Sequence, residues 1–419
     1  MHLRKRQLAA LVSVFVLCTA CGGGSGGDDA TGDNAQRGPE ASASPEVPPP
    51  VDPPHGFRKK GKQVGTAGHA FMKKEHAYHV FGDAVVSMST DSKDDQAVRV
   101  RGLDGQRRAA FTIDSLSHIA YPYGVATKDE QLVLTAVSER IEGTGTEKDR
   151  DSLVVTARDA MTGKKEWTTA IKETAERELP PLDDGSVSFV DANAKTILLS
   201  AEPKPNFDEE VTFALDTDDG DLRWTRQSFS AVGLDEDTVI GYQYSSYYPH
   251  MVGLSAKDQR ELWSGRETER YPGGTVLDGG LAALADSAGT YLMDTGTGKT
   301  KAELDAMAEC HFDQKSTVIC GAAEAELLVG YDADSMERLW ELSGDDAQRE
   351  VPELVAARPG VVYVNTSDGP VTLEARTGED LDTDLPDISL VDVVEGYGIV
   401  VPESGSGEPV SVYAHRGTA

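Results

Sequence analysis

Four tryptophans placed alike after polar turns, apolar strand segments recurring along the chain, and almost no helical periodicity predict an all-β fold. The architecture they predict is an eight-bladed β-propeller, with seven blades as the fallback. At 419 residues the chain is long enough for one large all-β unit.

The repeat carries the argument. Asp159-Ala160-Met161-Thr162-Gly163 leads to Trp167, and Asp216-Thr217-Asp218-Asp219-Gly220 leads to Trp224. Lys257–Trp263 and Asp334–Trp340 repeat the arrangement. Each time a strand enters a polar turn, and Trp stands four residues beyond the turn's Gly or its equivalent. Turns at Leu103-Asp104-Gly105, Thr297-Gly298-Lys299 and Arg376-Thr377-Gly378 keep the pattern without Trp. The strands before these turns start near Val98, Leu153, Val211, Met251, Tyr291, Leu327 and Val371, and Val410–Tyr413 is an eighth. A second β-rich segment precedes each one: Ala84–Met88, Leu132–Val137, Thr196–Leu199, Thr238–Tyr242, Leu281–Ala285, Val318–Cys320, Val361–Val364 and Gly398–Val401. Spacings of roughly 37 to 58 residues suit propeller blades. The eighth unit lacks a following strand, so an N-terminal strand is expected to complete it, with Ala67–Lys73 as the candidate.

Phe213-Ala214-Leu215-Asp216 with Gly220 and Trp224 resembles the pyrroloquinoline-quinone-type (PQQ-like) β-propeller repeat, whose signature is a strand, Ala-Leu-Asp, Thr-Gly, then Trp. The resemblance covers about residues 65–419. It implies either of two activities, since that family includes quinoprotein dehydrogenases and a non-enzymatic lipoprotein scaffold of outer-membrane assembly. A WD40 repeat fits less well, because no Trp-Asp dipeptide occurs. The repeated Trp is expected to pack between neighbouring blades and exclude water, a structural role.

The N-terminus gives an address. Arg4, Lys5 and Arg6 precede the apolar run Leu8–Leu17. That run is too short to span a bilayer, which needs about 20 residues. Cys18-Thr19-Ala20-Cys21 then resembles a bacterial lipobox, although Cys18 stands where that family usually has Leu. The resemblance implies cleavage before Cys21, diacylglycerol on its thiol, and anchoring to the outer face of a bacterial membrane. The alternative is an ordinary signal peptide and a soluble secreted protein. The domains are therefore expected as signal peptide 1–20, lipidated Gly/Ser/Pro-rich disordered linker 21–63, and propeller 64–419. Arg58, Lys59, Lys60 and Lys62 read as a solvated linker end rather than a headgroup contact.

The net charge of −31, about −34 after cleavage, argues against nucleic acid, because tracking phosphates needs a basic surface. A monomer is expected. Once Cys18 and Cys21 are set aside, Cys310 and Cys320 remain. They flank a hairpin whose turn centres on Lys315, face each other, and can form a disulfide in an oxidising compartment. Two Cys and a nearby His supply too few ligands for zinc.

Tempting motifs fail on their spacing. Thr295–Thr300 ends like a phosphate loop, but Met293 stands where the motif needs Gly. Asp216–Asp221 resembles a calcium loop with its Gly one place early and Gln227 in the twelfth position. Quinoprotein dehydrogenases carry adjacent cysteines, and this chain has none. No catalytic residue, metal or cofactor is assigned, and PQQ is not expected.

In a propeller, the connection between second and third strands shares a face with the link to the next blade. Ser138–Ser152, Glu202–Glu210, Gln243–His250 and the link Ala170–Gly185 are all long and share that face. Tyr242 and Tyr244 are expected to pack as strand residues, whereas Tyr247, Tyr248 and His250 are the expected partner-binding residues. The expected function is a non-catalytic binding or assembly scaffold for envelope proteins or polymers. The alternatives are a quinoprotein dehydrogenase and a propeller that senses a small ligand in its central channel.

Overall fold

The computed structural model describes residues 52–67, 78–90, 96–113, 120–127, 130–142, 144–146, 150–172, 186–202, 210–244, 248–268, 273–344, 349–383, 385, 388–402 and 410–418. Their strands form eight antiparallel sheets. Blades 1 to 7 are four-stranded and span residues 78–113, 123–172, 186–227, 229–267, 273–304, 309–343 and 353–382. Blade 8 takes three strands from residues 390–418. Its outer edge comes from the N-terminal strands Gly56–Phe57 and Lys62–Ala67, both paired with Val410–Thr418. The chain is an eight-bladed β-propeller. The only helical element among the described residues is a 3₁₀ turn, Ala323–Ala325.

The second and third strands lie where the sequence predicts them. Middle strands are buried on both faces, as in Val211–Asp216, and their near-continuous apolar runs follow from that. Outer strands such as Lys165–Lys172 alternate half-buried and exposed side chains, because one face meets solvent. The core is divided into layers between blades. Leu134, Leu153 and Val155 of blade 2 meet Ile197, Leu199 and Phe213 of blade 3, and Leu198 and Trp224 of blade 3 meet Phe229, Val239 and Leu254 of blade 4.

Each repeated Trp ties its blade to the next. Its indole N–H donates to a carbonyl in the next blade's turn between third and fourth strands: Trp167 to Thr217 (3.0 Å), Trp224 to Ala256 (2.9 Å), Trp263 to Thr295 (2.6 Å) and Trp340 to Ala375 (2.8 Å). The Trp167, Trp263 and Trp340 rings lie against the glycine of the next blade's turn. A Cβ at Gly220 would come within 2.4 Å of the Trp167 ring, and one at Gly298 within 2.3 Å of Trp263. Both glycines also hold positive φ, so the position demands glycine twice over. Opposite each Trp on the third strand stands a small residue, Ala157, Ala214, Gly253 or Gly330. The turns are held by their leading acid: Asp159, Asp294 and Asp332 each accept from the backbone N–H three residues on.

Three details differ from expectation. The closing strand is Lys62–Ala67, not Ala67–Lys73, of which residues 68–73 lie outside the described residues. Among the described residues the first strand is Gly56–Phe57, upstream of residue 64, and the basic cluster sits in and beside the closing strand. The two ends of the expected loop Ser138–Ser152 are a hairpin extension: Gln131–Ile141 and Arg150–Asp159 stay paired out to Ile141 and Arg150.

Trp224→Ala should destabilise the fold by about 3–5 kcal/mol, the usual cost of emptying a buried indole site. Trp224→Phe keeps most of the packing but leaves the Ala256 carbonyl unpaired, so it should cost about 1–3 kcal/mol. Chemical denaturation of both variants checks the order; equal losses would mean that packing of the ring contributes nothing beyond the hydrogen bond, and no loss for Trp224→Phe would mean that the hydrogen bond contributes nothing.

Candidate functional site

Two regions have the form of a site, the elaborated rim and the axial channel. On the rim, Tyr242 is buried and its hydroxyl donates to the Gly273 carbonyl (2.8 Å), while Tyr244 is half-buried on the same cluster. Both pack as expected. Tyr247 lies outside the described residues. Tyr248 is 52% exposed, and His250 opens the third strand of blade 4, half-buried and paired in register with Gln243 and Glu267. The blade 2 extension ends on the same rim with Ile141, 36% exposed, and the link from blade 5 to blade 6 adds Met307, 68% exposed.

The channel is walled by the first strands of the blades, most of which touch the first strand of the next. One side carries an aromatic row. His79 stacks on Tyr123 at 3.8 Å between ring centroids, and Tyr123 faces Phe189 at 5.9 Å. The Gly124 N–H donates to His79 Nδ1 (2.9 Å), so the neutral ring carries its proton on Nε2. Burial lowers the His79 pKa to about 4. The Tyr123 hydroxyl donates to Asp191 Oδ1 (3.3 Å), and the Leu234 N–H donates to Asp191 Oδ2 (2.9 Å). Burial raises the Asp191 pKa against the pull of those bonds, and it raises that of Tyr123, helped by the Asp191 charge.

The opposite wall, blades 5 to 8, encloses a cavity of about 310 Å³ lined by Asp278, Glu309, His311, Arg358 and Asp392, among others. Glu309 and His311 alternate with Cys310, so period-2 geometry turns the first two toward the cavity and the cysteine away. Cys310 and Cys320 sit directly opposite each other on paired strands and form the expected disulfide, with Cα atoms 4.1 Å apart. Among the described residues no group of His, Cys, Asp or Glu could hold a metal ion. The sequences resembling phosphate and calcium loops are blade turns: Asp294 Oδ1 caps the first, and Asp216 divides between the Asp218 N–H and Arg223. The channel residues were missed at the sequence level. Glu309-Cys310-His311-Phe312 carried the signal, an alternation of polar and apolar residues ahead of the disulfide hairpin.

Residues 150–309 match the model of the family described as outer membrane protein assembly factor BamB. The PQQ-like repeat is thereby borne out over that segment, which runs from the third strand of blade 2 to the start of blade 6. No curated protein matches the chain. Among solved structures, BamB from Moraxella catarrhalis is 15% identical with a TM-score of 0.49, covering 84% of this chain and 97% of that one. The computationally designed Ika8 protein is 14% identical with a TM-score of 0.48, covering 85% and 98%. Quinohemoprotein alcohol dehydrogenase from Comamonas testosteroni is 12% identical with a TM-score of 0.45, covering 85% and 77%.

The half-buried His79 makes a pH dependence. Its folded pKa lies below the unfolded value of 6.5, so between pH 6.5 and about 4 the unfolded chain binds more protons. Stability is therefore fully present above pH 6.5 and falls as pH drops through that window. Thermal melts at pH 7, 6, 5 and 4.5 should show a shallower fall for His79→Asn, which keeps an acceptor for Gly124 but does not titrate. Parallel curves for the two proteins would refute the assignment.

Proposed function

We propose that this protein is a non-catalytic binding or assembly scaffold of the bacterial cell envelope. The single observation that carries this reading is the built rim: a paired hairpin of blade 2 lengthened out to Ile141, with exposed Tyr248 in blade 4 and Met307 after blade 5, on the same face of a rigid ring. Apolar and aromatic side chains held out on a rigid frame suit a partner interface, because little conformational entropy is lost on docking. The family match to an assembly factor supports the same reading. Tyr247, Tyr248 and His250 belong to this docking face, and the partner is an envelope protein or polymer. Cys21 carries the lipid that holds the chain, as a monomer, on the outer face of the membrane.

Crosslinking and pull-down from intact cells tests both parts. Tyr247→Ala/Tyr248→Ala should weaken capture of the partner roughly 30-fold, the effect of losing an aromatic anchor worth about 2 kcal/mol. Equal capture by both forms would remove the rim from the interface. Cys21→Ala should move the protein to soluble fractions, and unchanged membrane retention would refute lipidation. Dye-linked alcohol oxidation on addition of PQQ would replace the scaffold reading with a quinoprotein one.

A further inference from the structure

The cavity between blades 5 and 8 is built from side chains that are each pinned by one bond and left with capacity to spare. Arg358 Nε donates to the Val393 carbonyl (2.8 Å), which fixes the guanidinium across the seam between blades 7 and 8. Among the described residues nothing engages its two terminal nitrogens. Asp392 Oδ1 accepts from the Val393 N–H (2.7 Å), and its Oδ2 has no described partner. His311 Nε2 and Glu309 Oε1 stand 3.1 Å apart on the neighbouring strand. Asp278 Oδ2 accepts from Gln314 Nε2 (3.0 Å). Arg358, His311, Glu309 and Asp392 all line this one cavity. Burial raises the pKa of the Asp392 carboxyl in spite of the Val393 N–H and the Arg358 guanidinium, which favour its ionised form.

We propose that this cavity binds a small zwitterion of amino-acid size, with its carboxylate on the Arg358 fork and its ammonium between Asp392 and Glu309. A guanidinium with two free terminal nitrogens matches a carboxylate bidentately. A simple anion would face Asp278, Glu309 and Asp392, and a simple cation would face the permanent charge of Arg358. A ligand that carries both signs satisfies both halves. The volume of about 310 Å³ lies at the small end of ligand cavities. The approach is favourable too. Val276, Leu277 and Asp278 also line a wider chamber of about 1140 Å³ among the first turns of blades 3 to 5. That chamber adds Asp235, Glu236 and Asp294 to its wall, a field that draws in the ammonium end first.

Isothermal titration of the purified full-length protein with each of the proteinogenic L-amino acids, at millimolar concentration, tests the site. At least one should bind, and acetate or ethylamine alone should bind far more weakly. Arg358→Gln and Asp392→Asn should each weaken binding by about tenfold or more, the loss expected for one charge-assisted bond. Asp392→Asn keeps an oxygen for the Val393 N–H, so it tests the ligand contact even if Arg358→Gln loosens the seam. Met161→Ala, on an exposed turn of blade 2, should leave binding unchanged, which separates loss of this site from a general effect of substitution. The proposal is overturned if no amino acid binds, if both channel variants bind as the parent does, or if ethylamine or acetate matches the best amino acid.

Discussion

The ring depends on one repeated contact, the indole of one blade set on the outer turn of the next. A blade alone exposes two apolar faces and cannot hide either, so stability exists only between blades. The Trp contact adds direction to that burial, because its N–H must find one carbonyl in the turn beyond. It links blades 2 to 3, 3 to 4, 4 to 5 and 6 to 7. Where Trp is missing, other ties take its place. Between blades 1 and 2, Arg158 lies over the Phe111 ring at 4.7 Å and Arg108 bonds Gln131. Between blades 5 and 6, Met336 fills the layer with Leu292 and Leu304. Between blades 7 and 8, Phe57 packs on Tyr363, and the Asn365 side chain donates to the Leu390 carbonyl.

That contact also explains what the sequence disclosed. A Trp at a fixed distance past a left-handed turn residue leaves a mark on the chain, even where Gln259 or Met336 replaces Gly and adopts positive φ. The middle strands are equally legible, since burial on both faces leaves only apolar choices. The first strands are not. They are short, one face looks into the channel, and Glu309, His311, Arg358 and Asp392 sit there because the channel tolerates charge. Nothing in their periodicity separates them from a loop with a few apolar residues. The closing strand escaped for another reason. Lys62-Gln63-Val64-Gly65-Thr66-Ala67 follows a basic cluster that resembles a tether, and only its pairing with Val410–Thr418 marks it as part of the ring.

Closure joins the two ends of the chain on one strand. Gly56 pairs with Thr418 and Lys62 with Ala414, and the His415 ring bonds the Arg58 carbonyl. The Tyr363 hydroxyl donates to the Pro54 carbonyl from blade 7 (2.7 Å). Joining ends so far apart costs only slowly growing loop entropy, while an open ring would leave the layer of Val64, Val85, Leu103 and Val412 in water. The segment that leads to the N-terminus is therefore also the last strand of the ring.

The inner strands share in holding the blades together, but their channel-facing side chains are not needed for it and can carry charge. Two acids on the channel side show the difference between structural and available charge. Asp313 Oδ1 accepts from the N–H groups of Lys315, Ser316 and Thr317, and its Oδ2 accepts from Gly360 of the next blade. Every lone pair it needs to place is placed, and its role is to hold a turn and a seam. Asp392 has one such bond and an oxygen left over, beside a guanidinium with two nitrogens left over. Asp313 is fully buried and must have every bond made, whereas Arg358 and Asp392 are half-buried and keep hydrogen-bonding capacity toward the channel. Leaving them open is affordable because the inter-blade layers supply the stability, and it is at such positions that binding chemistry is to be sought.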